Sequence, residues 1–338
     1  MKKIIIFKIG ALGDALMTTP FTRQLRGLFP DAQIDFWGTE SVALVYRQNP
    51  YISNFVTIPQ QSLSWRKPQQ VLKLIRDIRT RRYDIGFALG RSWVFALIIT
   101  LAQVSSRIGF GRDAIARLLL QRSYPTTTLK HEVHLYLDLL QSFGAVDYKD
   151  TDFDFTLLPG DEQVSKTLIQ EDHLTNFIAV VNSGGNNFNE SSQVRMLPMD
   201  KFQQLINCLG NSHQQVVLIG DKHDRDRYQQ LNLPANVINL AGKMTLPQTV
   251  ALLKHAKLII TTDCGPMHFA AITKVSMIAI FGPTDPKRKA PFKAHVVWTD
   301  EDIYQASYDL YGTIPECKFF QRIDPRQLCE LSRSMSDH

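Results

Sequence analysis

The stretch Leu258-Ile259-Ile260-Thr261-Thr262-Asp263-Cys264-Gly265-Pro266-Met267-His268 decides the fold. Its first five residues are all apolar or β-branched, which is how a strand covered on both faces reads. Gly265 then suits a tight turn and Pro266 the first position of a helix, with helical spacing over Met267–Thr273. A strand running straight into a helix is half of a parallel βαβ unit. The helix start leaves unpaired N–H groups and the positive end of a dipole at the carboxyl edge of the sheet, where a diphosphate would sit. The same residues also suit an ordinary strand–helix turn. His268 reads either as a ring facing that edge or as a packed histidine bonded to backbone.

The pattern repeats on both sides of this stretch. Downstream, the strand Ser276–Phe281 ends in Gly282-Pro283-Thr284-Asp285-Pro286, followed by Lys287, Arg288 and Lys289. Upstream, Phe177–Asn182 reads as a strand that ends in Ser183-Gly184-Gly185. Arg195 follows, just before the helix Pro198–Leu209, and could clamp a phosphate through two N–H groups. Gln215–Ile219 is a strand ending in Gly220-Asp221, with Asp224 opening the next helix. An acid placed there either takes ribose hydroxyls or caps the helix.

The amino-terminal half has the same rhythm. Strands are predicted over Lys3–Lys8, Gln33–Trp37, Asn54–Ile58, Asp84–Ala88 and Arg107–Phe110, and helices over Ala11–Leu28, Ser64–Arg81, Val94–Val104 and His131–Phe143. Strands separated by helices imply a parallel, doubly wound sheet. The first strand opens onto Ile9-Gly10-Ala11-Leu12-Gly13-Asp14. This is neither GxGxxG nor a P-loop, so both common phosphate fingerprints are missing. The loop presents an acid instead: Asp14, at a helix start, is either a functional carboxylate or a simple cap.

A length of 338 residues implies two domains. The boundary is placed in the acidic stretch around Pro159, giving domains 1–155 and 156–338, with the terminal helix, Asp324–Ser334, free to pack back on the first. The net charge of +6 is unevenly shared. Residues 1–150 hold 20 Lys+Arg against 11 Asp+Glu, and residues 151–338 hold 18 against 21. A first half at +9 suits an anionic partner or a solvated basic surface equally. The start lacks the long apolar run of a signal peptide, and Trp93–Val104 is too short to span a bilayer. A cytoplasmic chain is expected. Cys208, Cys264, Cys317 and Cys329 show no CxxC spacing and are read as free thiols, Cys317–Cys329 being the pair that could bridge.

Taken together, these pieces resemble the bacterial heptosyltransferases, glycosyltransferase family 9. Gly13-Asp14 with Thr18-Thr19-Pro20 is similar to the family's opening GD-x-x-x-T-x-P. Asp263-x-Gly265-Pro266-Met267-His268-Phe269-Ala270-Ala271 resembles D-S/T-G-P-M-H-L-A-A. Phe281-Gly282-Pro283-Thr284-Asp285-Pro286, with Arg288 and Pro291, resembles F-G-P-T-D-P-x-R-x-x-P. The likeness runs at low density from residue 2 to about 295. It departs where Leu197 replaces a tryptophan after the basic residue and where Cys264 replaces Ser or Thr, which puts the identity of the sugar in doubt.

The resemblance implies a GT-B fold, two Rossmann-like domains facing across a cleft, and inverting transfer of heptose from ADP-heptose to the inner core of lipopolysaccharide without a divalent metal. It makes Asp14 the general base. It assigns the donor to Ser183, Gly184, Arg195, Asp224, Asp263, Cys264, Gly265, Pro266 and His268 in the second domain. It assigns a phosphorylated glycolipid acceptor to Gly13, Arg91 and Arg107 in the first. The basic helix Ser64–Arg81 would face anionic lipid on the inner surface of the cytoplasmic membrane. No nucleic acid is expected. The alternatives are another nucleotide sugar or a protein acceptor on the same fold, and a nucleotide-binding protein without transfer activity. A nicotinamide oxidoreductase is disfavoured by the missing GxGxxG.

Overall fold

Ile4, Ile5, Ile6 and Phe7 have no solvent exposure, and the strand they form is one of the two central strands of the first sheet. The computed structural model describes residues 1–59, 67–126, 130–184, 192–211, 214–311, 314–315 and 319–336. The chain divides into two compact units, Met1–Thr156 and Leu157–His338.

The first unit carries β1 (Lys3–Phe7), β2 (Gln33–Gly38), β3 (Asn54–Thr57), β4 (Ile85–Ala88), β5 (Ser106–Phe110) and β6 (Arg122–Tyr124). Their order in the sheet is β3-β2-β1-β4-β5-β6. The second carries β7 (Ile178–Val181), β8 (Val216–Ile219), β9 (Val237–Asn239), β10 (Leu258–Thr262), β11 (Met277–Phe281) and β12 (His295–Trp298), ordered β12-β11-β10-β7-β8-β9. Every pairing among the described residues is parallel. Numbered within its own unit, each sheet has the order 3-2-1-4-5-6, the doubly wound Rossmann arrangement. In such a sheet the winding reverses between strands 1 and 4, here β1 and β4 in one unit and β7 and β10 in the other. Ligands bind outside the carboxyl ends of the strands at that reversal.

The strands are apolar because both faces are covered. In β7 the pleat sends Ile178 and Val180 to one core and Ala179 and Val181 to the other. Phe202, Leu205, Ile206 and Leu209 of the helix Met199–Gly210 fill the first of these cores, together with Leu328 and Cys329 of the terminal helix Pro325–Ser336. The terminal helix therefore packs inside the second unit, on the helix Met199–Gly210. Cys208 and Cys329 bridge these two helices, with sulfurs 2.28 Å apart and Cα atoms at 6.2 Å. This corrects the expectation of free thiols. The pairing joins residues 121 positions apart, and sequence spacing carries no signal for such a contact. Cys317 lies outside the described residues, and Cys264 is a free, buried thiol.

Three further differences bear on the site. The helix expected over Ala11–Leu28 is two helices, Leu12–Leu16 and Thr19–Leu28. Pro20 has no N–H to give the carbonyl of Leu16, and the Thr19 hydroxyl donates to it instead at 2.8 Å. Thr18 donates to the Ala15 carbonyl at 2.6 Å, and the hydroxyls of Thr18 and Tyr46 are hydrogen-bonded at 2.7 Å. The Thr-Thr-Pro piece is thus a buried joint that sets the direction of the short helix carrying Asp14. The acidic stretch that composition marks as a linker is tied to the first unit: Arg23 pairs with Asp150 at 2.6 Å and also with Asp154. The basic helix runs over Pro68–Arg81, and residues 64–66 of the expected helix lie outside the described residues.

Candidate active site

In the second unit, the loops after β7 and β10 are stitched together by side chains. The Ser183 N–H donates to Thr262 Oγ1 at 3.1 Å, and that hydroxyl donates to the Ser183 carbonyl at 2.7 Å. Asn182 clamps the turn before the helix Met199–Gly210. Its Nδ2 donates to the Leu197 carbonyl at 2.9 Å and its Oδ1 accepts the Leu197 N–H at 2.8 Å. That turn delivers Arg195 to Asp263, Nη1 to Oδ2 at 2.6 Å. The Thr284 hydroxyl, from the loop after β11, donates to the same oxygen at 2.5 Å. Arg195, Asp263 and Thr284 are all buried. Burial alone would push the Asp263 carboxyl up. Arg195 first, then Lys289, Thr284 and His268, hold it below the ordinary carboxylate value instead.

Asp224, next to this network, takes the second of the two readings open to it, helix capping. It closes a capping box with Asp221: the Asp221 N–H donates to Asp224 Oδ2 at 3.1 Å, and the Asp224 N–H donates to Asp221 Oδ1 at 3.0 Å. Arg227 lies 3.2 Å from its other oxygen, and Ser183 hydrogen-bonds to it. Gly220 is glycine because a Cβ there would come within 2.5 Å of the Asp224 Cβ. Burial raises the carboxyl pKa despite these partners. Asp224 thus braces the loop after β7.

Gly265, Pro266 and His268 stand in the helix Gly265–Ala271, which directly follows β10. Cys264 is its N-cap residue and makes no side-chain cap. Its thiol lies in the apolar core 3.6 Å from Thr261 Oγ1, and burial pushes its pKa up to about 12. Its side chain is therefore packing, unlike the expectation. His268 is buried and acts on Asp263. Ser183 and Gly184 end the described part of the loop after β7, and Gly185 lies outside it.

In the first unit, Asp14 is half-buried in the first turn of the helix Leu12–Leu16, with Gly13 buried beside it. Arg91, from the loop after β4, is ion-paired with Glu132, at the start of the helix Glu132–Asp138. Burial opposes the charge on Arg91, but Glu132, Tyr136 and Asp14 together raise its pKa. Lys8, directly after β1, is 5% exposed. Burial lowers its pKa, against the pull of Asp14. Sequence reasoning missed Lys8 and Glu132. The signals were a lysine ending an apolar strand and an acid one residue inside a helix, neither specific. Arg107 is not part of this group. It stands at the amino end of β5, where its Nε and Nη1 donate to the carbonyls of Leu119 and Val104 at 3.0 and 2.9 Å. A strand's carboxyl end is where ligands bind, and Arg107 is at the other end. Among the described residues, no three His, Cys, Asp or Glu side chains are grouped to hold a metal ion.

Residues 71–312 match the family model for glycosyltransferase family 9 (heptosyltransferase). The chain belongs to glycosyltransferase family 9. It is a glycosyltransferase with the GT-B fold. Among its relatives, lipopolysaccharide heptosyltransferase 3 of Escherichia coli (strain K12) is 27% identical over 322 residues, covering 90% of this chain and 87% of that protein. The crystal structure of a family 9 glycosyl transferase from Veillonella parvula DSM 2008 superposes with a TM-score of 0.82 at 20% identity, covering 99% and 97% of the two chains. The E. coli ADP-heptose lps heptosyltransferase II gives a TM-score of 0.74 at 23% identity, covering 99% and 98%.

Proposed function

We propose that this family 9 enzyme transfers heptose from ADP-heptose to the inner core of lipopolysaccharide, with inversion. The observation that carries the reading is the meeting of Arg195, Asp263 and Thr284 through hydrogen bonds at the strand reversal of the second sheet. Three separate motif pieces converge there on one carboxylate. The solved relative named for ADP-heptose supports the choice of donor.

On this reading the second unit holds the nucleotide sugar. The start of the helix Gly265–Ala271, Ser183, Gly184, Arg195 and His268 face the diphosphate with N–H donors and positive charge. Asp263 fixes Arg195, and Asp224 fixes the loop that carries Ser183. The first unit takes the acceptor, with Gly13 and Arg91 beside Asp14. Asp14 accepts the proton of the acceptor hydroxyl as its oxygen bonds to the anomeric carbon. The bond from that carbon to the diphosphate oxygen breaks, and ADP leaves with the electron pair. Charge grows on the diphosphate in this step, so fixed donors aimed at it lower the barrier. A divalent metal is not needed for that role.

No described helix is long and apolar enough to cross a membrane. The acceptor's lipid end is met instead at the inner surface of the cytoplasmic membrane, by exposed Lys73, Arg76 and Arg79 of the helix Pro68–Arg81. Arg81 contributes less, since it turns to Asp35 at 3.3 Å and stacks over Trp37. Calorimetry with ADP, ADP-heptose, GDP, UDP and NAD tests the reading. Binding of ADP and ADP-heptose alone supports it, binding of another nucleotide moves the sugar, and no binding at all overturns the assignment of the donor.

A further inference from the structure

Lys8 stands where β1 ends, at the carboxyl edge of the first sheet. The strand order reverses there, between β1 and β4, which is where a doubly wound sheet takes its ligand. The Lys8 N–H bonds to the Trp37 carbonyl of β2 at 3.0 Å, so the residue is held as an extension of the strand. The pleat sends Ile5 and Phe7 to one core and Lys8, next in line, to the other face. Its Nζ comes to lie 5.5 Å from the centre of the Tyr136 ring, on the helix Glu132–Asp138.

Lys8 is 5% exposed, yet among the described residues its ammonium makes no hydrogen bond and no ion pair. Three N–H donors are thus carried to the ligand edge without an acceptor. A ring face offsets only part of what an ammonium loses on leaving water. Asp14 and Glu132 act on it from a distance, and Glu132 is ion-paired with Arg91. The loop after β1 leaves the ammonium open to approach. Gly10 has φ of +137°, and a Cβ built there would lie 3.9 Å from Lys8 Nζ. A side chain at this position would stand against the lysine, and glycine has none.

We propose that Lys8 is a binding residue for the acceptor, donating hydrogen bonds to an anionic oxygen of a phosphate or carboxylate group that the acceptor carries. This rests on the reading of the first unit as the acceptor side and adds the chemistry by which the acceptor is recognised. An anion suits the position better than a sugar hydroxyl. A hydrogen bond from an ammonium to an anionic oxygen is about twice as strong as one between neutral groups, and only an anion cancels the buried charge. The excess of 20 Lys+Arg over 11 Asp+Glu in residues 1–150 draws the same kind of ligand toward this unit.

Titration of the full chain with inorganic phosphate, and separately with acetate, tests this at constant ionic strength. The readout is the carbon-13 signal of lysine Cε, with Lys8 assigned by its loss in Lys8→Arg. A saturable shift of the Lys8 signal is expected, with chloride giving none. A shift with phosphate alone names a phosphate, and a shift with acetate alone names a carboxylate. No saturable shift with either overturns the proposal. In kinetics with ADP-heptose and heptose-free lipopolysaccharide, Lys8→Met should raise the acceptor KM by about tenfold or more and leave the ADP-heptose KM unchanged. Lys8→Arg should recover most of the loss. A merely structural lysine would leave the acceptor KM where it is, and that result also overturns the proposal. If Lys8→Met does not fold, the titration of the wild type decides. A wild type that transfers nothing to this acceptor refutes the acceptor reading itself, whereas transfer together with an unmoved Lys8 signal refutes the lysine proposal alone.

Discussion

Replacing Arg195 with methionine removes the main counter-charge of Asp263 while keeping much of the side chain's length. The two side chains are 7% and 4% exposed and meet at 2.6 Å, so the carboxylate left behind cannot be rescued by water. Breaking one partner out of a buried pair costs about 3–5 kcal/mol. Thr284 still donates to Asp263, and Lys289 and His268 still act on it. The expected loss is therefore at the low end, about 3 kcal/mol. With an m-value of about 2 kcal/mol/M in urea, the midpoint of the second unit should fall by about 1.5 M. The loss also has a pH signature. In the wild type the Asp263 pKa is depressed, so its contribution is full above the unfolded value of about 3.9 and disappears as pH falls through the folded one. In Arg195→Met, burial acts with its chief opponent gone and raises the folded pKa. The penalty is then full at neutral pH and is relieved on acidification, so the gap narrows as pH falls and closes only below the unfolded value of about 3.9, where the wild-type carboxyl is protonated too. Urea titrations at several pH values, with Asp263→Asn and the double variant completing the cycle, measure this. A loss below about 1 kcal/mol that does not change with pH would show that Asp263 is not the ionised partner of Arg195.

Asp14→Ala should lower turnover by at least about 10²-fold, the usual range for a lost general base, while ADP affinity in calorimetry stays unchanged. Collapse of ADP binding would place Asp14 on the nucleotide side. Cys329→Ser opens a loop of 121 residues, which constrains the unfolded chain by about 5 kcal/mol. The urea midpoint should drop toward that of the reduced wild type, and reductant should have no further effect on the variant. Charge reversal in Lys73→Glu/Arg76→Glu should weaken sedimentation with vesicles containing anionic phospholipid and leave neutral vesicles unaffected. An unchanged partition removes this helix from the membrane face.

The central strands were legible because burial on both faces leaves little but Ile, Val, Leu and Phe in them. β1, β7, β8, β10 and β11 all read directly from such runs. The edge strands β6 and β12 were not, being short and partly exposed, with patterns that resemble a loop. The helices Glu40–Tyr46 and Ala114–Leu119 were missed for their shortness. At the candidate site, Asp263, Gly265, Pro266 and His268 stood out because glycine and proline mark where a strand meets a helix. What sequence could not supply was the partner of each charge. Arg195 read as a phosphate clamp, and its bond to Asp263 had no signal in the sequence. Arg91 read as an acceptor contact, and its ion pair with Glu132 had no signal in the sequence. Thr284 was noted as part of a motif, while its bond to Asp263 depends on two loops brought side by side by β10 and β11. Arg107 misled because a strand end was recognised without its polarity.

The central pairings of both sheets join distant parts of the chain: Ile4 lies beside Ile85, and Ile178 beside Leu258. Pairings that close such long stretches form slowly, because chain entropy must be lost before any contact is gained. Ser183 and Thr262, 79 residues apart, meet only across the second of them. A refolding chain would thus acquire its helices well before it could hold a nucleotide. The time course of regained ADP affinity would serve as a clock for the closing of the β7–β10 seam.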